Sequence, residues 1–290
     1  MSASHTGVVP HATLHDGSTI DIHVRGDGPT VLLPVNPQPV EGPRAQELLK
    51  WGTDPALGQH LIDGLGDAFR TVAFDYEGQV MAHPKPHTLT PTTLAQDILA
   101  VADAAGADRF AYYGYSWLAL AGLQLAIRTD RLTALVMGGF PPIDGPYPQM
   151  LRVTAATHDM TTAPKPPKPA EESPTSEEFD WASVEVQLTP EQTGQFLTLY
   201  EALRGFDDRT VRLDCPRLCF AGAADEIDYG ERWGGVHVSM AGPLQAQGAQ
   251  LEARGWSVRV LAGLDHTQAM QASAVLPVIR PWLTAVLRNE

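Results

Sequence analysis

The order of apolar segments predicts an α/β fold, with a mostly parallel sheet, helices on both of its faces and one insertion between strands. Three observations carry this reading. Short β-type runs alternate with segments of helical periodicity along nearly the whole chain. One run, 31–35, is apolar at every position, as a strand buried on both faces requires. One stretch, 161–176, is so rich in proline and polar residues that it belongs to no core and marks an insertion.

The elements follow in order. Residues 12–35 read as a hairpin and a third strand, with Asp16-Gly17 and Asp27-Gly28-Pro29 as the turns. A helix over 56–69 leads into a strand at 71–74. Thr90-Pro91 supplies an N-cap and a first-turn proline to a helix carrying Leu94, Ile98, Leu99 and Val101. Further strands are expected at 109–113, 132–138, 217–221 and 257–261. The last helix, 274–287, tolerates Pro277 near its start and is expected to bend at Pro281. Residues 1–143 and 215–290 thus form one core, and 144–214 a lid or cap insertion. Within it, 161–176 is expected to be a mobile outer loop. Residues 189–203 are expected to be a helix whose Phe196, Leu197, Tyr200 and Leu203 form one apolar face.

Composition narrows the function. The chain has 290 residues, 43% hydrophobic and 19% charged, an ordinary globular mix. Lys and Arg number 20 against 34 Asp and Glu, a net charge of −14. That balance, with no basic stripe, argues against a nucleic-acid partner. Cys215 and Cys219 are too few for a disulfide framework and lack the paired spacing of a zinc site, so no metal is expected. Residues 110–127 run 18 residues without a charge, but Gly114, Ser116 and Gln124 make them a strand, a turn and a helix rather than a membrane span. No signal peptide is read at the start, and a cytoplasmic protein is expected. The oligomeric state stays open, a homodimer being one option.

The chemistry centres on Gly114-Tyr115-Ser116-Trp117-Leu118, where the strand 109–113 turns into the apolar helix 118–127. A serine on so sharp a turn stands clear of the backbone, above a helix N-terminus that favours negative charge. The strand 217–221 runs into Gly222-Ala223-Ala224-Asp225, and the strand 257–261 is followed by Ala262-Gly263-Leu264-Asp265-His266. In this order of motifs, over nearly the whole chain apart from the lid, the sequence resembles the α/β-hydrolase fold superfamily.

The resemblance implies an eight-stranded-type sheet and a catalytic triad of Ser116, Asp225 and His266. Asp228 and Asp144 remain alternative acids, while His83 and His87 read as solvated loop residues. The resemblance also implies an oxyanion hole from the Trp117 N–H and a donor on the loop after strand 31–35. Asn36 supplies that donor in one register; in the next it falls on Pro37, which has no N–H. Three positions depart from the family pattern. Pro34-Val35-Asn36-Pro37 replaces His-Gly, Val80 replaces the second glycine after Asp75-Tyr76-Glu77-Gly78, and Leu118 stands where a small residue is usual.

Trp117, Phe196 and Tyr200 are expected to bind a small-molecule substrate. Asn36-Pro37 with Trp117 is similar to the halide-binding pair of haloalkane dehalogenases, yet a serine cannot replace their carboxylate, because its alkyl ether has no easy exit. Ser116 instead fits acyl transfer. The function expected is a serine hydrolase cleaving an ester, thioester or lactone through an acyl-enzyme, without cofactor. A peptidase selecting a free amino terminus finds no specific acidic cluster in the lid. The alternatives are a triad-bearing lyase or cofactor-free oxygenase using His266 as base, and a catalytically weak ligand-binding protein.

Overall fold

In the computed structural model, which describes residues 10–163 and 188–287, the chain opens with a small hairpin. β1 (His11–Thr13) pairs antiparallel with β2 (Thr19–Asp21) around the Asp16-Gly17 turn. After Ile22 the chain continues as β3 (His23–Arg25), which joins the edge of the main sheet. Six more strands build that sheet: β4 (Thr30–Leu33), β5 (Arg70–Ala73), β6 (Phe110–Tyr115), β7 (Leu132–Gly138), β8 (Arg217–Gly222) and, last in the chain, β11 (Trp256–Leu261). The order is β11-β8-β7-β6-β4-β5-β3, and every pairing is parallel except β3 with β5. The main sheet therefore has seven strands, with β1 held beside it on the hairpin.

Alternate residues of these strands enter two separate cores, as the two-residue period of a strand requires. Leu32, Val72, Tyr112 and Leu135 point to one face, where they meet α4 (Pro91–Ala104) and α5 (Trp117–Ala126). Val31, Ala73, Ala111 and Val136 point to the other, against α2 (Leu57–Leu65) and α10 (Ala272–Leu287). Helices thus cover both faces, as the unbroken apolar runs of the strands demand. α10 runs through both Pro277 and Pro281.

Several elements carry no strong sequence signal. α1 (Gly42–Lys50) is a nine-residue helix that buries none of its residues. α3 (Tyr76–Ala82) starts where the Asp75 carboxylate accepts from the Gly78 N–H, a local cap rather than a periodic pattern. β9 (Glu226–Tyr229) and β10 (Val236–Ser239) form a short surface hairpin directly after Asp225. α8 (Ala241–Ala253) and α9 (His266–Met270) complete the C-terminal half.

Between β7 and β8 lie α6 (Tyr147–Thr162) and α7 (Pro190–Ala202). α7 begins with a capping box between Thr189 and Gln192. Thr193 ties it to α6, meeting His158 Nδ1 at 3.0 Å and Thr161 Oγ1 at 2.8 Å. Its other side bonds to the last turn of α3: Gln195 Nε2 donates to the Val80 carbonyl at 3.0 Å and Gln192 Nε2 to that of Met81 at 2.8 Å. Of the expected outer loop 161–176, residues 164–176 lie outside the described residues. Below α7, Lys85 is buried, and its ammonium pairs with Asp16 on the hairpin turn. No described helix is long and apolar enough to cross a membrane.

Candidate active site

β6 ends in a sharp reversal. Ser116 has φ 57° and ψ −129°, a conformation that costs a non-glycine residue on the order of 1–3 kcal/mol. The surroundings hold it there. The Ser116 N–H donates to the Gly138 carbonyl at 2.8 Å, and its own carbonyl accepts from Ala119 at 2.9 Å. Gly114 makes the turn feasible, since a Cβ there would stand 2.2 Å from the Leu118 carbonyl oxygen. The close approach expected at position 118 is thus made by the Leu118 backbone, while its side chain is buried in the core.

The loops after β8 and β11 are laced together. Ala223 donates to the Leu261 carbonyl at 2.8 Å and Ala224 to that of Leu264 at 2.9 Å. The approach depends on Gly222, where a Cβ would meet the Leu264 oxygen at 2.1 Å. Asp265 caps α9 reciprocally with Gln268, which places His266 at the first position of that helix. His266 Nδ1 then lies 2.8 and 2.9 Å from the two carboxylate oxygens of Asp225, and Nε2 lies 3.1 Å from Ser116 Oγ. A carboxylate only accepts, so Nδ1 carries the proton and Nε2 is free to accept from the serine hydroxyl. Asp225 is 0% exposed, and its carbonyl accepts from Met240 and Ala241.

The alternative acids are engaged elsewhere. Asp228 meets His237 Nδ1 at 2.7 Å across the β9–β10 hairpin. Asp144, at φ 56°, pairs with Arg209 at 2.6 Å and accepts from Gln247. His83 and His87 are exposed. Cys215 and Cys219 are unbridged, and burial pushes both thiols up. Among the described residues no group of His, Cys, Asp and Glu is arranged to hold a metal ion.

The other expected site residues lie on the loop after β4, at the start of α5 and on α7. The first N–H groups of a helix have no intrahelical partner, and Trp117 opens α5 directly after the serine. Asn36 follows β4, the sheet neighbour of β6, and its side-chain oxygen accepts from Gln38 N–H at 2.9 Å. The Trp117 ring lies 5.3 Å from Phe196 of α7 and 6.1 Å from Tyr76. Tyr200, one turn after Phe196, is only 3% exposed.

Two further residues meet the centre without having been singled out from sequence, Tyr115 and Glu77. Tyr115 Oη donates to the His266 carbonyl, and Glu77 stands close to the Trp117 indole. Both lie inside motifs already noted, but their neighbours are distant in the chain. Two clefts at the opposite ends of the strands contain none of these residues. One of about 440 Å³ is lined by Asp208, Arg217 and Trp256, and one of about 870 Å³ by Arg128, Asp130 and Cys215.

No family model matches the chain. A putative carbamate hydrolase RutD from Klebsiella pneumoniae (strain 342) is 39% identical over 71 residues, 24% of this chain and 27% of that relative. The match therefore spans about a quarter of the curated relative's length. An esterase from Thermogutta terrifontis superposes with a TM-score of 0.57 at 17% identity, over 97% of this chain and 98% of its own. The enol-lactonase from Burkholderia xenovorans LB400 does so with a TM-score of 0.55 at 18% identity, over 95% and 100%. Superposition over nearly whole chains at so low an identity reports shared architecture, and by that architecture the chain has the α/β-hydrolase fold.

Proposed function

We propose that the chain is a serine hydrolase that cleaves a small-molecule ester, thioester or lactone through an acyl-enzyme. The observation that carries this reading is the unbroken line from Ser116 Oγ through the His266 imidazole to the buried Asp225 carboxylate. A serine hydroxyl is scarcely ionised at neutral pH, and this arrangement supplies the base that activates it.

In the proposed reaction Ser116 Oγ attacks the substrate carbonyl while its proton passes to His266 Nε2. Asp225 stabilises the imidazolium through the Nδ1 proton. The tetrahedral oxyanion rests on the N–H groups of Trp117 and Asn36. Collapse expels the alcohol or thiol, which takes the proton from Nε2, and a water activated by the same nitrogen then hydrolyses the acyl-enzyme. Helices α6 and α7, the described helices of the insertion 144–214, act as the lid over this centre. Phe196 and Trp117 wall the acyl or alcohol pocket, and Tyr200 is buried one turn further along α7. The relatives, an esterase, an enol-lactonase, epoxide hydrolases and a putative carbamate hydrolase, support the hydrolase part of this reading.

The test is covalent labelling with a fluorophosphonate, read by peptide mass spectrometry, alongside a p-nitrophenyl ester panel. The adduct is expected on Ser116, and Ser116→Ala is expected to lose both adduct and turnover, by on the order of 10³-fold or more. An adduct elsewhere, or turnover retained above about a tenth of wild type, rejects the reading.

A further inference from the structure

The cleft of about 440 Å³ at the starts of β8 and β11 has no part in the proposed reaction. Asp225 and His266 follow the other ends of the same two strands, six residues or about 20 Å away. Its volume lies within the roughly 300–1,000 Å³ of small-molecule sites. Its floor is apolar, with Leu123, Ile143 and Trp256 all buried. The charged side chains that line it are Arg212, Arg217, Arg254 and Asp208.

The three guanidinium groups are held by main-chain carbonyls. Arg217 Nη1 donates to Leu213 at 2.6 Å and Cys215 at 2.8 Å, and its Nη2 donates to Arg254. Arg254 Nη1 donates to the Arg209 carbonyl at 2.7 Å, and Arg212 Nη1 to those of Arg209 and Val211 at 3.0 and 2.9 Å. Among the described residues none of the three pairs with a carboxylate. Asp208 is turned to the backbone, accepting from the N–H groups of Asp144 and Gly145 at 3.0 and 2.9 Å. A carbonyl orients a guanidinium without cancelling its charge, and N–H groups remain on each of the three. Three guanidiniums against one carboxylate leave two positive charges in excess, in a chain whose net charge is −14.

We propose that this cleft is a second binding site, for a phosphate monoester with an apolar or aromatic body, whose phosphate meets Arg212, Arg217 and Arg254. Three physical reasons favour this class. A phosphate monoester carries about −1.5 to −2 at neutral pH, which matches the excess of charge better than a single carboxylate does. The planar fork of a guanidinium fits two phosphate oxygens at once, and forks already fixed by carbonyls lose little freedom on binding. The apolar floor gives the body of the ester a surface to cover, beside the Arg217 guanidinium that lies 5.9 Å from the centre of the Trp256 ring. Inorganic phosphate would leave that floor uncovered.

The test is calorimetric binding of naphthyl phosphate, naphthoate, naphthol and inorganic phosphate to the full chain. Naphthyl phosphate is expected to bind about tenfold or more tighter than each of the other three. Arg212→Gln is expected to weaken it about fivefold or more, and so is Arg254→Gln. Arg212 is exposed and bonds only to carbonyls of its own turn, so its substitution leaves the fold intact. No binding of naphthyl phosphate up to about 5 mM overturns the inference. So does an affinity no better than that of naphthoate or inorganic phosphate, or one that both arginine variants keep.

Hydrogen exchange then locates the ligand. Naphthyl phosphate is expected to slow exchange in peptides covering 211–217 and 253–256. Slowing confined to the peptides around Ser116 overturns the inference, because it places the phosphate in the triad cleft. Neither measurement needs turnover, so both decide the cleft whether or not Ser116 is a nucleophile.

Discussion

The Tyr115 phenol donates a hydrogen bond to the main-chain carbonyl of His266 at 2.7 Å, and its ring lies 5.1 Å from the imidazole. The residue before the proposed nucleophile thus holds the loop that carries the proposed base. Burial, with Asp225 nearby, pushes the phenol far up and keeps it protonated as a donor. Phe220 supports the ring from β8 at 6.0 Å. The reach between Ser116 Oγ and His266 Nε2 is therefore set by strand β6 itself, not by the α9 loop alone.

Tyr115→Phe keeps the ring and removes this bond. We expect kcat to fall about tenfold, near 1.4 kcal/mol in barrier, with KM within about twofold and the thermal midpoint little changed. Steady-state kinetics on a p-nitrophenyl ester reads the split. An unchanged kcat would show that the loop holds its height without Tyr115.

Asp225→Asn preserves shape but removes the acceptor that sets the His266 tautomer. The expected loss is on the order of 10⁴ in kcat, as in other triads. Asp228→Asn and Asp144→Asn should stay within about threefold of wild type, because neither side chain meets His266. A dead Asp228 or Asp144 variant beside an active Asp225→Asn would reassign the acid.

The hairpin turn supplies an acid-sensitive contribution to stability. Burial alone would raise Asp16, but hydrogen bonds from Lys85 and Ser18 outweigh it and hold the carboxyl at about 2, below its ordinary 3.8. A folded-state value below the unfolded one means stability that is present above the unfolded value and lost as pH falls through the folded one. The gap in urea midpoint between wild type and Asp16→Asn should be constant near neutral pH and close between about pH 4 and pH 2. The gap should lie below the 3–5 kcal/mol typical of fully buried pairs, since Asp16 is exposed although Lys85 is not. A gap that does not change with pH would separate Asp16 from the acid response.

On the β9–β10 hairpin His237 bonds to Asp228 at 2.7 Å and to Glu226 at 2.9 Å. These contacts, Asp228 first, raise its pKa above 6.5. The sign is opposite to that of Asp16. The stabilising contribution is complete below the unfolded value near 6.5 and disappears as pH rises through the folded one. Proton NMR of the imidazole should give a midpoint above 6.5 in wild type and a lower one in Asp228→Asn. Identical midpoints in the two proteins would assign the shift to another neighbour.

Phe196 and Tyr200 lie on one face of α7 and should respond differently to truncation. Phe196→Ala opens the wall beside Trp117 and is expected to alter KM and acyl-chain preference with little loss of stability. Tyr200→Ala leaves a cavity in the core and is expected to cost about 3–5 kcal/mol in chemical denaturation. Unaltered chain-length selectivity in Phe196→Ala would place the substrate away from α7.

The sequence by itself determined what short-range chemistry encodes. Apolar runs such as Val31 to Leu33 specify strands buried on both faces, and Thr90-Pro91 and Thr189-Pro190 specify helix starts. Gly114 and Ser116 specify a turn that only a nearby glycine makes feasible. The order of strand ends then placed Asp225 and His266 among the candidates. Which carboxylate meets the imidazole was decided only by tertiary structure. Asp225, Asp228 and Asp144 are the same residue type on comparable loops, and their partners depend on which loop laces to which through Ala224 and Leu264.

Tyr115, Glu77 and Lys85 escaped the sequence for the same reason. Each takes its meaning from a neighbour far along the chain, His266, Trp117 and Asp16 respectively. α1 escaped for a different reason, since it is only nine residues long and buries none of them. Periodicity records which face of a segment is buried. The partner of a polar group is chosen by strand register and loop closure, which come into existence only when distant segments pack.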